Sequence, residues 1–175
     1  IEVGTESIPT VENNIVYFGA WDGSFYALDA VSGKQIWRFK TEERISSSPA
    51  IYNNYILFGS FDNYFYCVDK NTGKEIWKLK TRNNISSSPS IDNEIVYFTN
   101  WDQDVFALNI HSGKQLWKFV TEAEVESSPL IYNNKIFIGC NDGNLYALDK
   151  TTGEKKWKFE TEMTITSTPA AFNNM

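Results

Sequence analysis

Apolar and polar residues alternate along the chain in a pattern typical of short β-strands, and the pattern repeats every 40 residues. In the second copy, segments 46–52, 55–60, 65–68 and 74–80 are predicted strands. They are separated by Asn-Asn, Asp-Asn and Asn-Thr-Gly turns, whose residues tolerate left-handed backbone angles. We find no stretch with the 3.6-residue period of an amphipathic helix. Each copy therefore predicts a four-stranded antiparallel meander.

The 40-residue repeat runs through the whole chain without an insertion or deletion. Prolines, tryptophans and turn glycines recur in register, at Pro9, Pro49, Pro89, Pro129 and Pro169, at Trp37, Trp77, Trp117 and Trp157, and at Gly33, Gly73, Gly113 and Gly153. One thin sheet cannot bury both of its faces, whereas sheets stacked around an axis can. We therefore predict an all-β fold, a β-propeller of four-stranded blades.

The predicted blades span about residues 6–45, 46–85, 86–125 and 126–165, within one propeller segment that covers 1–175. Residues 161–174 repeat residues 1–14, so 166–175 is predicted to be an additional first strand. Four blades and a strand leave apolar faces uncovered at both ends. Either the chain is a piece of a longer propeller, or two copies close an eight-bladed ring in which 161–174 displaces the partner's first strand. In either case we expect the isolated chain to self-associate.

Segments 27–37, 67–77, 107–117 and 147–157 resemble the tryptophan-docking motif of the quinoprotein (PQQ-type) β-propeller repeat. The resemblance extends over essentially the whole chain. It implies that the motif tryptophan of each blade packs on the neighbouring blade's motif near its turn glycine, which makes both structural residues. Some copies depart from the pattern, with Thr99, Asn63, Gln103 and Asn109 replacing the residues of the other repeats.

Catalytic members of that family are quinone-dependent dehydrogenases, and the resemblance would imply adjacent cysteines, a calcium or lanthanide site and a catalytic aspartate. This chain has no adjacent cysteines, and we predict that Cys67 and Cys140 are reduced, buried thiols. Asp22, Asp62, Asp102 and Asp142 recur in every copy and are predicted to cap backbone amides in hairpin turns. His111 is predicted to be a solvated turn residue. We predict no catalytic residue, no metal, no cofactor and no enzyme activity.

Composition limits the classes of partner. The net charge of −6 argues against binding to a nucleic-acid backbone. No apolar run approaches the roughly 18–20 residues of a membrane-spanning helix.

The chain begins Ile1-Glu2-Val3, without a leader pattern or an initiator methionine, and we interpret it as a mature or excised piece. The sequence itself does not indicate a cellular compartment, and family analogy alone favours an extracytoplasmic one.

Candidate partner-binding residues lie where the hairpins between second and third strands meet the connections between blades. These residues are Trp21, Phe61 and Trp101 at the hairpin tips, with Glu42 and Glu122 in the connections. We predict a non-enzymatic scaffold, or a ligand-sensing or protein-interaction domain, within a larger protein. One alternative is a fragment of a PQQ-dependent dehydrogenase. Another is a carbohydrate-binding propeller that uses Trp21 and Trp101 as stacking platforms.

Overall fold

The computed structural model describes residues 4–171, and in this range every helix or strand element is a β-strand. Sixteen strands form four antiparallel sheets, and in each sheet neighbouring strands are consecutive in the chain. The predicted all-β meander is confirmed for these residues. We call the four sheets blades 1 to 4 in chain order.

The strand bounds repeat at the 40-residue period. Blade 1 contains β1 (Thr10–Glu12), β2 (Ile15–Gly19), β3 (Ser24–Asp29) and β4 (Gln35–Lys40). Blade 2 contains β5 (Ala50–Tyr52), β6 (Tyr55–Gly59), β7 (Tyr64–Asp69) and β8 (Glu75–Lys80). Blade 3 contains β9 (Ser90–Asp92), β10 (Ile95–Thr99), β11 (Asp104–Asn109) and β12 (Gln115–Val120). Blade 4 contains β13 (Leu130–Tyr132), β14 (Lys135–Gly139), β15 (Asn144–Asp149) and β16 (Lys155–Glu160).

The turns use the residues that the sequence singled out. Asn13 and Asn14 join β1 to β2 with φ angles of 49° and 61°, the left-handed conformation that a two-residue hairpin needs. Gly33 joins β3 to β4 with φ 68°. In the same turn the Asp29 carboxylate accepts a hydrogen bond from the Ser32 amide at 2.7 Å. Local chemistry therefore specifies where each strand ends.

The first strand of blade 2 is shorter than predicted, beginning at Ala50 and not at residue 46. The amide of Ser48 donates to the Ser88 hydroxyl at 3.0 Å, a partner in the next repeat and not in β6. Pro49 has no amide hydrogen to offer to a ladder. Residues 46–49 thus connect neighbouring repeats, and pairing within the blade starts only after the proline.

Two compact units divide the chain, Ile1–Pro89 and Ser90–Met175, with two blades in each. In the first unit, one face of blade 1 packs against the opposing face of blade 2. The rings of Phe25 and Phe58 stack there with their centroids 4.3 Å apart, beside the buried Tyr17, Trp37 and Tyr66. Burial of these aromatic faces supplies the stability that one sheet alone lacks.

In the second unit, blades 3 and 4 form a core of the same kind. Tyr97 and Trp117 of blade 3 pack with Ile136, Ile138 and Tyr146 of blade 4. The register of strand pairing is also the same as in the first unit, with a shift opposite the motif tryptophan in each blade. The two units are therefore separate examples of one packing mode.

The predicted additional strand, 166–175, is described only as far as residue 171, and residues 172–175 lie outside the described range. No strand is assigned in 166–171. The Ser128 amide nevertheless donates to the Thr168 hydroxyl at 3.1 Å. The Ile8 amide makes the equivalent bond to the Ser48 hydroxyl at 2.9 Å in the first unit. This segment thus contacts blade 4 as the start of a further repeat would.

Candidate functional sites

The motif tryptophan of blade 1 is buried against the next blade. Trp37 is 8% exposed, and its Nε1 donates to the carbonyl of Lys70 at 3.0 Å. A Cβ atom added at Gly73 would lie 2.5 Å from Trp37 Cε3. Only glycine therefore lets the indole approach this turn, which also has φ 68°.

The second unit repeats this arrangement. Trp117 is 9% exposed, and its Nε1 donates to the carbonyl of Lys150 at 3.0 Å. A Cβ atom at Gly153 would lie 2.6 Å from Trp117 Cε3. Both units thus place a motif tryptophan against the motif glycine of the following blade.

The remaining motif residues are placed differently. Trp157 in β16 is 43% exposed. Within residues 4–171, a Cβ atom at Gly33 would have no heavy atom within 4 Å beyond its chain neighbours. Trp77 is half-buried in the first unit, and Gly113 lies in a turn of the second with φ 66°.

In the first unit, the hairpin tips Trp21 and Phe61 are held by the connections between blades. The Trp21 amide donates to the Gly4 carbonyl at 2.9 Å, and the indole lies so close to Gly4 that a Cβ atom there would be 2.5 Å from Cε3. The Phe61 amide donates to the Arg44 carbonyl at 3.0 Å, and the Arg44 guanidinium lies 4.0 Å from the Phe61 ring centroid. Trp21 is still 47% exposed. The amide of exposed Glu42 donates to Asp62 Oδ2 at 3.2 Å.

In the second unit, Trp101 is half-buried at the equivalent hairpin tip of blade 3. Asn141 occupies this position in blade 4, where its amide donates to the Glu124 carbonyl at 3.0 Å and its side chain donates to Glu126 at 3.0 Å. Glu122 is exposed and accepts a hydrogen bond from Lys158 at 3.2 Å. The backbone contact of the hairpin tip therefore does not depend on an aromatic side chain.

Three of the four recurring aspartates cap their hairpins as predicted. In blade 4, Asp142 accepts hydrogen bonds from the Asn144 amide at 2.8 Å and from the Tyr146 hydroxyl at 2.5 Å. Burial tends to raise the pKa of the Asp142 carboxyl, but the bonds from Tyr146 and Asn144 outweigh it, and the pKa lies below its usual value. Asp22 and Asp62 make the same pair of bonds in blades 1 and 2.

Substitution of Tyr146 by phenylalanine should reduce stability most at neutral pH. A carboxyl whose pKa is lowered by folding contributes stability above its unfolded pKa of about 3.9, and the contribution is lost as pH falls through the folded value. Without the hydroxyl this contribution shrinks. We expect Tyr146→Phe to lower the melting temperature at pH 7 and to have a smaller effect at pH 3.

The measurement is thermal unfolding followed by circular dichroism across this pH range. Tyr132→Phe is the matched control, because within the described residues the Tyr132 hydroxyl binds no carboxylate, and its effect should not vary with pH. A loss in Tyr146→Phe that is equal at pH 7 and pH 3 would contradict the assignment.

Blade 3 corrects the prediction that Asp102 caps its turn. There Asn100 Oδ1 accepts hydrogen bonds from the amides of Asp102 and Asp104, at 3.1 and 3.0 Å. Phe106 stands where the other blades have the tyrosine, so the hydroxyl that would bind Asp102 is missing. The buried Asp104 instead pairs with Lys118 at 2.9 Å. The signal in the sequence was that Phe106 replaces the tyrosine found in the other three repeats, and that this repeat alone has an asparagine, Asn100, before the turn.

The prediction for the cysteines is confirmed, since Cys67 and Cys140 are free and buried. Burial raises the pKa of the Cys67 thiol to about 12. His111 is exposed in the turn after β11, as predicted, and its Nε2 lies 3.6 Å from a carboxylate oxygen of the exposed Glu94. Residues 4–171 contain no cluster of three or more His, Cys, Asp or Glu side chains that could hold a metal ion. They do not form the donor set of a calcium–quinone site, and we derive no reaction step from one.

A family model described as "Beta-alanine-activating enzyme, beta-propeller" matches residues 2–175. The chain belongs to this β-propeller family. No curated protein sequence matches the chain. Among residues 4–171 there is no helix long and apolar enough to cross a membrane.

Solved structures share the fold at low identity. The computationally designed protein Ika8 matches with a TM-score of 0.83 and 19% identity over 94% of this chain and 52% of its own. BamB from Moraxella catarrhalis matches with a TM-score of 0.79 and 18% identity over 94% of this chain and 54% of its own. A quinohemoprotein alcohol dehydrogenase from Pseudomonas putida matches with a TM-score of 0.80 and 19% identity over 92% of this chain and 34% of its own.

These matches confirm the predicted β-propeller fold and the resemblance to PQQ-type repeats. At such identities they show the fold alone. The chain spans only about half the length of Ika8 and BamB, and about a third of the dehydrogenase. It is a β-propeller domain.

Proposed function

We propose that this chain is a non-enzymatic propeller scaffold within a larger protein, and that the hairpin tips and blade connections bind a partner protein. The proposal rests on the exposure and the fixed position of Trp21. It is a large aromatic side chain with 47% of its surface exposed, yet its backbone and one ring face are fixed against Gly4. An anchor that is already ordered loses little entropy when a partner covers it.

The blade itself does not need this indole. Asn141 makes the same backbone hydrogen bond in blade 4 at 3.0 Å with a polar side chain. Exposed aromatic rings are not favoured for solubility, and aromatic anchors are enriched at protein interfaces. Trp21 is therefore better explained by a binding role than by folding.

Charge suggests the chemistry of the partner. Glu42 and Glu43 are exposed in the connection that follows blade 1. Glu122 and Glu124 are exposed in the corresponding connection of the second unit, and the whole chain carries a net charge of −6. Electrostatic complementarity favours a partner with a basic segment that also contains apolar side chains.

The test uses an array of synthetic peptides that vary in Lys and Arg content and in aromatic content, incubated with the full chain. We expect basic peptides with an aromatic residue to bind, and Trp21→Ala to weaken binding by about 10-fold or more. Val31→Ala is the control, because Val31 is an exposed apolar residue in the β3–β4 turn, and this variant should bind as the wild type does. Added salt should weaken binding.

Two further assays distinguish the alternatives. Binding to a glycan array that is lost in Trp21→Ala and Trp101→Ala would replace the proposal with a carbohydrate-binding function. Dye reduction with alcohols or sugars after addition of PQQ and calcium would replace it with a dehydrogenase function. Absence of any peptide binding that depends on Trp21 would also overturn it.

A further inference from the structure

We infer that, when the 175-residue chain is alone in solution, the outer faces of blades 1 and 4 bind each other between two copies. Trp157 of one copy packs on the Gly33 turn of the second, and the second copy makes the same contact in return. The resulting assembly is a head-to-tail dimer with two equivalent contacts. This inference concerns the end faces and does not depend on the proposed binding of a partner by the hairpin tips.

The first argument is that each end carries one half of a contact seen twice inside the chain. Trp37 docks on the Lys70 carbonyl and Gly73, and the contact is repeated by Trp117 in the second unit. Trp157 is the same residue of the repeat but is 43% exposed. Within residues 4–171, the position of Gly73 in blade 1 is Gly33, whose added Cβ would meet no atom within 4 Å.

The second argument is the apolar surface on both faces. On blade 4, a groove of about 360 Å³ is lined by Leu130, Tyr132, Phe137 and Leu145, together with residues 169–171. These side chains correspond by repeat position to those of blade 1 that pack on blade 2. Phe159, which lies two residues after Trp157 in β16, is also exposed.

Blade 1 presents the complementary side chains at the other end. Val16, Phe18, Tyr26 and Leu28 are only half-buried, whereas their counterparts in blade 2 are buried. Those counterparts are Ile56, Phe58, Tyr66 and Val68, all members of the core of the first unit. Leu145 and Phe18 occupy the repeat positions of the stacked Phe25 and Phe58. We therefore expect Leu145 of one copy to pack against Phe18 of the second.

The third argument is the pairing of charges. Within the units, an acid on the first strand of one blade pairs with a lysine of the next, at 2.5 Å for Glu12 and Lys70 and at 2.6 Å for Asp92 and Lys150. The corresponding residues at the two ends are Tyr132 and Ala30. Neither is charged, so the contact would bury no unpaired charge at this pair of positions.

One segment must be exchanged for the contact to form. Residues 161–171 are bound to blade 4, with the Ile165 amide donating to the Cys140 carbonyl at 3.0 Å and the Ser128 amide to Thr168 at 3.1 Å. They repeat residues 1–11. At the contact, residues 164–169 would take the place of residues 4–9 of the second copy, which lie beside its β2.

Sedimentation velocity at micromolar concentrations tests the inference on the full chain. We expect a dimer for the wild type and a dissociation constant about 100-fold weaker for Trp157→Ala. Leu116→Ala is the matched control, because Leu116 is exposed to a similar extent, at 48%, but lies in β12 of blade 3, which is not an end blade. It should dimerise as the wild type does.

Gly33→Asn separates docking from folding. Asparagine adopts positive φ angles more readily than most residues, and a Cβ atom at this position has no contact within 4 Å in the single chain. In the dimer the same atom would meet the indole. We expect monomers with an unchanged circular dichroism spectrum, and an equal mixture of Gly33→Asn and Trp157→Ala chains should form a heterodimer through one intact contact.

Truncation tests the exchange of the segment. Removal of residues 1–9 should preserve the dimer, whereas removal of residues 166–175 should weaken it. The reverse result would overturn the exchange. A wild-type chain that stays monomeric, one that grows into open polymers, or a Trp157→Ala chain that dimerises like the wild type would overturn the inference as a whole.

Discussion

Replacement of Trp37 by alanine is expected to lower the free energy of unfolding by about 3–5 kcal/mol. The indole is 8% exposed and packs near Tyr17 and Phe25, with ring centroids 5.9 and 6.0 Å apart. Its removal leaves a cavity between blades 1 and 2. It also leaves the Lys70 carbonyl, which now accepts from Nε1 at 3.0 Å, without this donor.

Trp157→Ala is the internal control, since Trp157 occupies the same position of the repeat but is 43% exposed. At concentrations where the chain is monomeric, we expect this substitution to cost less than about 1 kcal/mol. Urea unfolding followed by circular dichroism and by tryptophan fluorescence gives both values, and agreement of the two signals checks for a single transition. Equal losses in the two variants would contradict the docking role of the buried tryptophan.

Replacement of Gly59 by threonine is expected to cost about 2–3 kcal/mol through overpacking. A Cβ atom at this position would lie 2.1 Å from Ile85 Cγ2 and 3.0 Å from the Ile85 carbonyl oxygen. The oxygen belongs to a backbone whose amide is already bonded to the Ser60 carbonyl at 3.2 Å. Neither the Cγ2 atom nor the carbonyl oxygen of Ile85 can move away without disrupting the connection between blades 2 and 3.

Blade 3 shows how the chain accommodates the larger residue. Thr99 stands at the equivalent position and donates to the Ser127 carbonyl at 2.8 Å, and Val125 replaces the isoleucine. We expect Ile85→Ala, which removes the Cγ2 atom nearest the added Cβ and alone should cost about 2–5 kcal/mol, to recover part of the loss in the Gly59→Thr background. A double-mutant cycle should give a coupling of about 1 kcal/mol, and strictly additive losses would refute the steric explanation.

Much of the fold was predictable because it depends on neighbours in sequence. Alternation of apolar residues predicts strands, and the Asn-Asn and Gly turns predict hairpins through backbone angles that few other residues adopt. Residues 46–49 were predicted wrongly as part of a strand, since the Ser48 amide bonds the next repeat and Pro49 has no amide hydrogen. The candidate site was likewise predictable only in part. The sequence placed Trp21 at a hairpin tip, but only the structure gives its exposure and its contact with Gly4.

By itself, the sequence determined the 40-residue period, the meander of each blade and the identity of the motif residues, because these depend on local alternation and turn chemistry. Tertiary structure alone decided which copy of each residue is buried or bound. Trp37 and Trp157 occupy the same position of the repeat, yet only Trp37 is covered by a following blade. Asp142 caps its hairpin turn and Asp102 does not, because in blade 3 Asn100 accepts the amide hydrogen bonds and Phe106 lacks the tyrosine hydroxyl. Burial and hydrogen bonding are properties of neighbours in space, and a repeated motif does not specify them.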